Sequence, residues 1–207
     1  MNLTNLQMTY LLFGIFAAIL VIASSIGHIL KRKAGLQPAP VIDNLNARIN
    51  AWWVMLLVLG TAILIGKITF IILFGLISLF ALREFISLLP TRRGDYFPLL
   101  IAFYFVIPYQ YYLVYIDWYG LYSIFIPLYV FLLIPIATLK QEDTTFFLER
   151  SAKIQWGLMV CVFCISHVPA LINLKLPGFQ GDKIWLALWL IMVVQTSDVL
   201  QYVCGKL

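Results

Sequence analysis

Apolar residues run almost unbroken along most of this chain, in stretches interrupted only by short basic or aromatic turns. Crossing about 30 Å of hydrocarbon takes about 20 apolar residues in a helix. Seven stretches approach or reach that length: Met8–Leu30, Ala51–Gly66, Ile68–Leu89, Phe97–Ile116, Leu121–Leu139, Ile154–Leu174 and Ile184–Val203. A transmembrane barrel would instead show short segments of alternating polarity, so continuous runs predict helices. The predicted fold is all-α: a polytopic helical membrane protein of about seven transmembrane helices, with residues 1–207 forming a single helical domain. Pro108, Pro127, Pro135 and Pro169 fall inside these runs. They predict kinked helices whose freed backbone groups are satisfied by neighbours or water. Trp52 and Trp53 open the second run, and Trp118, Tyr119, Trp156 and Trp185 lie near other run ends, as interfacial anchors do.

The loop charges orient the bundle. With Lys31, Arg32, Lys33 and Arg48 in the cytoplasm, alternation puts Arg83, Arg92, Arg93, Lys140, Arg150, Lys153 and Lys206 there too. Only Lys67, Lys175 and Lys183 fall outside, so eleven of the fourteen basic residues lie on one side. That is the positive-inside pattern, and it predicts an N-terminus outside and a C-terminus in the cytoplasm. Short loops with this bias fit a bacterial inner membrane.

Composition adds weight to the same picture. Hydrophobic residues make up 63% of the chain and charged residues 11%, against about 25% charged in a soluble domain. The net charge of +5 comes from several short loops. It therefore argues for contact with anionic lipid headgroups and against nucleic-acid binding. Cys161-x-x-Cys164 has redox or zinc spacing, but both residues sit in an apolar run, where free cysteine packs as a small hydrophobe. The run from Met8 lacks a basic leader and a cleavage site, as a retained first span would. No internal repeat is visible, which counts against a transporter built from repeated halves.

The costliest residue closes the chain. Asp198 interrupts the last apolar run, where a carboxylate costs about 2.5–3.5 kcal/mol on insertion scales. On a helix, Asp198, Gln201, Tyr202 and Gly205 share one stripe, with Lys206 following at the headgroup level. An acid, an amide, a phenol and a cation together suit a polar pocket open to the cytoplasm. The carboxylate oxygens suit a hard divalent cation and the lysine a phosphate. A helix–helix polar contact with a snorkelling lysine is the plainer alternative. Arg83-Glu84 is expected to form an interfacial ion pair, with Glu84 as a further pocket carboxylate in the sharper reading. His167 is expected to be a hydrogen-bonded packing histidine, and His28 to lie at the interface.

The run Ser197-Asp198-Val-Leu-Gln201-Tyr202-Val-Cys-Gly205-Lys206 resembles the aspartate motif of CTP:phosphatidate cytidylyltransferases, or CDP-diacylglycerol synthases. In that family an Asp, an aromatic four residues on and Gly-Lys or Gly-Arg close a late transmembrane helix. The multi-span layout, and Ala81-Leu82-Arg83-Glu84-Phe85 before a basic loop, are similar as well. The family's Ser-Pro-x-Lys-Thr loop, its Gly-His-Gly-Gly and Asp-Arg stretch and its second metal-binding aspartate do not occur in these 207 residues. The resemblance thus implies the N-terminal portion of such an enzyme, a domain incomplete at its C-terminal end and inactive alone.

The reaction it implies is nucleotidyl transfer in phospholipid biosynthesis: CTP and phosphatidate give CDP-diacylglycerol and diphosphate. Mg²⁺ is the implied cofactor, with Asp198 as catalytic residue and metal ligand. Lys206, Tyr202 and Gln201 are the implied substrate-binding residues. The implied partners are phosphatidate, CTP, the surrounding membrane lipids and a second copy in a homodimer. Two other classes remain open on the residues alone: a small ion- or proton-coupled transporter using Asp198, and a non-catalytic membrane partner protein.

Overall fold

Every described residue that belongs to a regular element is helical, in a computed structural model that describes residues 3–34, 40–140, 145–174 and 183–205. The helices are α1 (Leu3–Ala34), α2 (Pro40–Ile65), α3 (Lys67–Ser87), α4 (Arg93–Tyr115), α5 (Tyr119–Leu139), α6 (Phe147–Asn173) and α7 (Ile184–Cys204). The first six are long and apolar enough to cross a membrane, while the apolar part of α7, Ile184–Asp198, is shorter. Two starts differ from the hydropathy pattern. α2 begins at Pro40, a residue suited to a first helical turn, so Trp52 and Trp53 lie within the helix and do not open it. α6 begins at Phe147, ahead of the apolar run at Ile154. In both cases polar residues occupy one side of an amphipathic turn without ending the helix.

The chain divides after Gly66 into two compact units, α1 with α2 and α3 with α4 to α7. Gly66 has φ +132°, a conformation open to glycine and costly for other residues. In the first unit α1 and α2 pair antiparallel. Asn46 Nδ2 donates to the Gly27 carbonyl at 3.4 Å, and Trp53 Nε1 donates to Ser24 Oγ at 3.1 Å. Phe13 packs on Gly60, and a Cβ at Gly27 would collide with Asn46 Oδ1. Trp53 thus anchors α2 to α1. An exposed pair, Lys31 Nζ to Asp43 Oδ1 at 3.0 Å, closes the other end.

In the second unit α4 and α6 are the most enclosed helices. Phe70, Leu82, Val106, Leu113, Ile134 and Leu158 are fully buried between them and their neighbours. α3 crosses α6 closely: a Cβ on Gly157 would stand 2.8 Å from Phe85 Cδ1 and 3.1 Å from Leu82 Cδ1. We therefore expect Gly157→Ala to cost about 1–3 kcal/mol by overpacking, read as a lower midpoint when the protein is unfolded with dodecyl sulfate in mixed micelles.

The prolines and π-helical turns account for two of the polar bonds inside this unit. Single π turns widen α4 at Ala102–Val106, α5 at Phe125–Val130 and α6 at Met159–Cys164. Pro135 has no N–H for the Phe131 carbonyl one turn back, and Gln155 Nε2 of α6 donates to it at 2.7 Å. Pro127 has none for the Tyr122 carbonyl across the π turn. Gln110 Nε2 of α4 takes that carbonyl at 3.1 Å and also donates to Ser166 Oγ at 3.0 Å. Asn173 Nδ2 caps the Val114 carbonyl at 2.7 Å. An unsatisfied backbone group in hydrocarbon costs several kcal/mol, so these side chains join spans by repairing the backbone of their neighbours. The expected satisfaction of proline-freed groups by neighbours is met in this form at Pro127 and Pro135.

Candidate functional site

Asp198 lies on α7, which packs against the last turns of α6, Ile165–Asn173. At about 1.5 Å per residue, Asp198 is roughly 20 Å along α7 from Ile184. Ser197, Asp198 and Gln201 are exposed. Gln201 Nε2 donates to Ser197 Oγ at 3.5 Å, a long contact, and the Gly205 N–H donates to the Gln201 carbonyl at 2.9 Å. Asp198 and Gln201, three positions apart, share a face as expected. Lys206 lies outside the described residues, as does the side chain of Tyr202.

The other candidates fall elsewhere. Arg83 and Glu84 are exposed on α3, and neither forms an ion pair among the described residues. The expected pair fails because adjacent helical residues point about 100° apart. His167 is a packing histidine: Nδ1 bonds the Phe163 carbonyl at 2.7 Å, and the ring meets Phe163 and Tyr122 at 4.5 and 5.5 Å. His28 is exposed near the end of α1. The three cysteines are unbridged, with Cys161 buried in the π turn of α6.

The most developed polar structure in the second unit lies at its basic end, where α3 gives way to α4 and α6 begins. Arg150 Nε donates to Asp95 Oδ1 at 2.6 Å, with the two side chains only 4% and 6% exposed. Asp95 Oδ2 accepts the Arg92 backbone N–H at 2.8 Å, and Arg150 Nη1 donates to the Thr145 carbonyl at 3.3 Å. The Thr145 hydroxyl takes Arg92 Nη1 at 2.8 Å, and the Arg92 guanidinium stands 5.0 Å over the Phe146 ring. Phe146 has φ +51°, a left-handed conformation that ends the turn into α6. One buried ion pair thus clasps the loop before α4 to the start of α6. Sequence reasoning counted Arg150 as a loop cation and passed over Asp95. Its signal was present: Arg150, Ser151, Ile154, Gly157 and Leu158 are all buried, so the arginine stands on the apolar stripe of its helix. Asp95 is the single acid of the turn Thr91-Arg92-Arg93-Gly94-Asp95.

These features define a polytopic helical membrane protein with an acidic last helix and a basic, clasped loop face. The family profile of the cytidylyltransferases matches residues 46–207, and the chain belongs to that family. The uncharacterised protein YnbB of Escherichia coli (strain K12) is 29% identical over 194 residues, which cover 91% of this chain and 60% of YnbB. The chain therefore spans less than two thirds of that relative's length. No solved structure matches it.

Proposed function

We propose that this protein serves membrane-embedded cytidylyl transfer to a lipid phosphate, with phosphatidate and CTP as substrates. The observation that carries the reading is the family match, which runs through the Asp198 helix. A phosphate oxygen of the lipid attacks the α-phosphorus of CTP, the α–β bond breaks, and diphosphate leaves. The residues present fit a divalent ion: Asp198 and Gln201 offer oxygen donors on one exposed face, and Mg²⁺ needs only one or two protein oxygens besides substrate phosphates. Bound there, Mg²⁺ would neutralise phosphate charge and ease departure of diphosphate. Asp198 would hold the ion and Gln201 would orient the triphosphate, with Tyr202 and Lys206 as further contacts. The basic loop face would lie in the cytoplasm, where CTP is met, and lipid would enter sideways from the inner leaflet of a bacterial inner membrane.

The test is nucleotide binding by the reconstituted chain. CTP with Mg²⁺, at about a hundredfold over its Kd, should stabilise the fold by about 2.7 kcal/mol and raise the melting temperature by several degrees, with ATP far less effective. The 207 residues are expected to bind without moving α-³²P label into lipid, since the family's second aspartate and phosphate loops do not occur in them. No stabilisation by CTP would overturn the reading. Nucleotide-independent proton flux across vesicles that depends on Asp198 would replace it with a transporter.

A further inference from the structure

Beside the Asp95–Arg150 clasp is an open depression of about 580 Å³, lined by Thr91, Arg92, Arg93, Tyr96 and Leu99. Its chemistry is uneven in a useful way. Two guanidinium groups and a hydroxyl stand at its rim, while Tyr96 and Leu99 lead into the apolar surface of α4. None of the described lining residues is an acid, and Asp95, the acid of the same turn, is already committed to Arg150 and to the Arg92 N–H.

The two arginines differ from ordinary loop cations. Arg92 is fixed at three points: its N–H on Asp95, one Nη1 on Thr145, and its plane over Phe146. Its other guanidinium N–H groups have no acceptor among the described residues. Arg93 follows directly: its carbonyl accepts the Tyr96 N–H, while its exposed side chain makes no ion pair or hydrogen bond among the described residues. A held guanidinium loses less freedom on meeting a ligand, and its planar fork matches phosphate oxygens. General attraction of basic loops to anionic lipid is worth about 1 kcal/mol per charge and asks for no such scaffold.

We propose that this depression is a phosphomonoester-binding site, in which Arg92 and Arg93 hold the doubly charged phosphate of a lipid and Tyr96 and Leu99 take the start of its glycerol and acyl portion. It deepens the proposed function, on which the identity of the lipid as phosphatidate rests. The buried clasp then has a task beyond stability: it sets the position of Arg92 and with it the height of the phosphate above the membrane core.

The test is lipid binding without nucleotide, so its outcome is independent of CTP binding. The whole chain in neutral detergent is titrated with dioctanoyl phosphatidate at 150 mM salt, with dioctanoyl phosphatidylcholine as control. Arg92→Gln and Arg93→Gln should each weaken phosphatidate binding about tenfold. Lys33→Gln, which removes a cation from α1, should change it less than twofold. Arg93→Gln keeps the test sound should Arg92→Gln unfold, because the Arg93 side chain makes no ion pair or hydrogen bond among the described residues and its carbonyl bond to Tyr96 survives the substitution. Inorganic phosphate and CTP as competitors distinguish the sources: a lipid site resists millimolar phosphate, while a site for free phosphate or nucleotide yields to it. Equal losses for Lys33→Gln and Arg93→Gln, equal binding of phosphatidylcholine, or undiminished binding in folded Arg93→Gln would each overturn the proposal.

Discussion

Arg150→Met is expected to lower the unfolding free energy by about 3–5 kcal/mol, the cost of leaving one charge of a buried pair uncompensated. Methionine preserves much of the side chain's length, so the loss comes from charge and hydrogen bonds more than from a cavity. Several contacts go together, among them the 2.6 Å bond to Asp95, the 3.3 Å bond to the Thr145 carbonyl, and the indirect hold on Arg92 through the shared carboxylate. Asp95 would remain buried without its guanidinium. The double variant Asp95→Asn with Arg150→Met should lose much less than the two single variants summed, because the amide still accepts the Arg92 N–H and no orphan charge is left. Such non-additivity marks residues in direct contact. Dodecyl sulfate titration of the four proteins checks it. Additive losses, or a single-variant loss under about 1 kcal/mol, would show that the pair does not clasp the loop.

That clasp also shows where sequence reading ends. The spans were legible because each repeats one simple property, unbroken hydrophobicity over membrane length. Their starts were less legible. Asp43, Asn44 and Asn50 in α2, and Glu149 and Lys153 in α6, read as loop residues, yet a helix carries polar residues on one side without ending. The π turns had only the prolines as a trace, and which side chain would repair Phe131 or Tyr122 depends on how α4, α5 and α6 pack. Asp95 and Arg150 are 55 positions apart, and nothing local pairs them. Asp198 was visible from the start because its cost is local: one carboxylate in one apolar run. Among its companions, the Tyr202 side chain and Lys206 lie outside what the structure describes, while Glu84 is exposed on α3 with no ion pair among the described residues.

Asp198→Asn is expected to weaken Mg²⁺-dependent CTP binding by at least about a hundredfold, or about 2.7 kcal/mol, while leaving the melting temperature of the nucleotide-free protein unchanged. The substitution keeps size and one carbonyl oxygen and removes the charge, so it separates two roles that position alone cannot. A carboxylate that serves helix packing should be enclosed, and its loss should be felt in stability. Asp198 is instead exposed on α7, beside Ser197 and Gln201. A carboxylate that serves a hard cation loses most of its value when neutralised, because an amide oxygen replaces a full negative charge with a dipole. Gln201→Ala should then cost less than Asp198→Asn, since it removes an orienting dipole and no charge. The informative quantity is the pair of readouts in one sample. Unchanged folding with lost nucleotide affinity assigns Asp198 to ligand binding. Lost folding with proportionately lost affinity would assign it to helix packing, and unchanged affinity would remove it from the site.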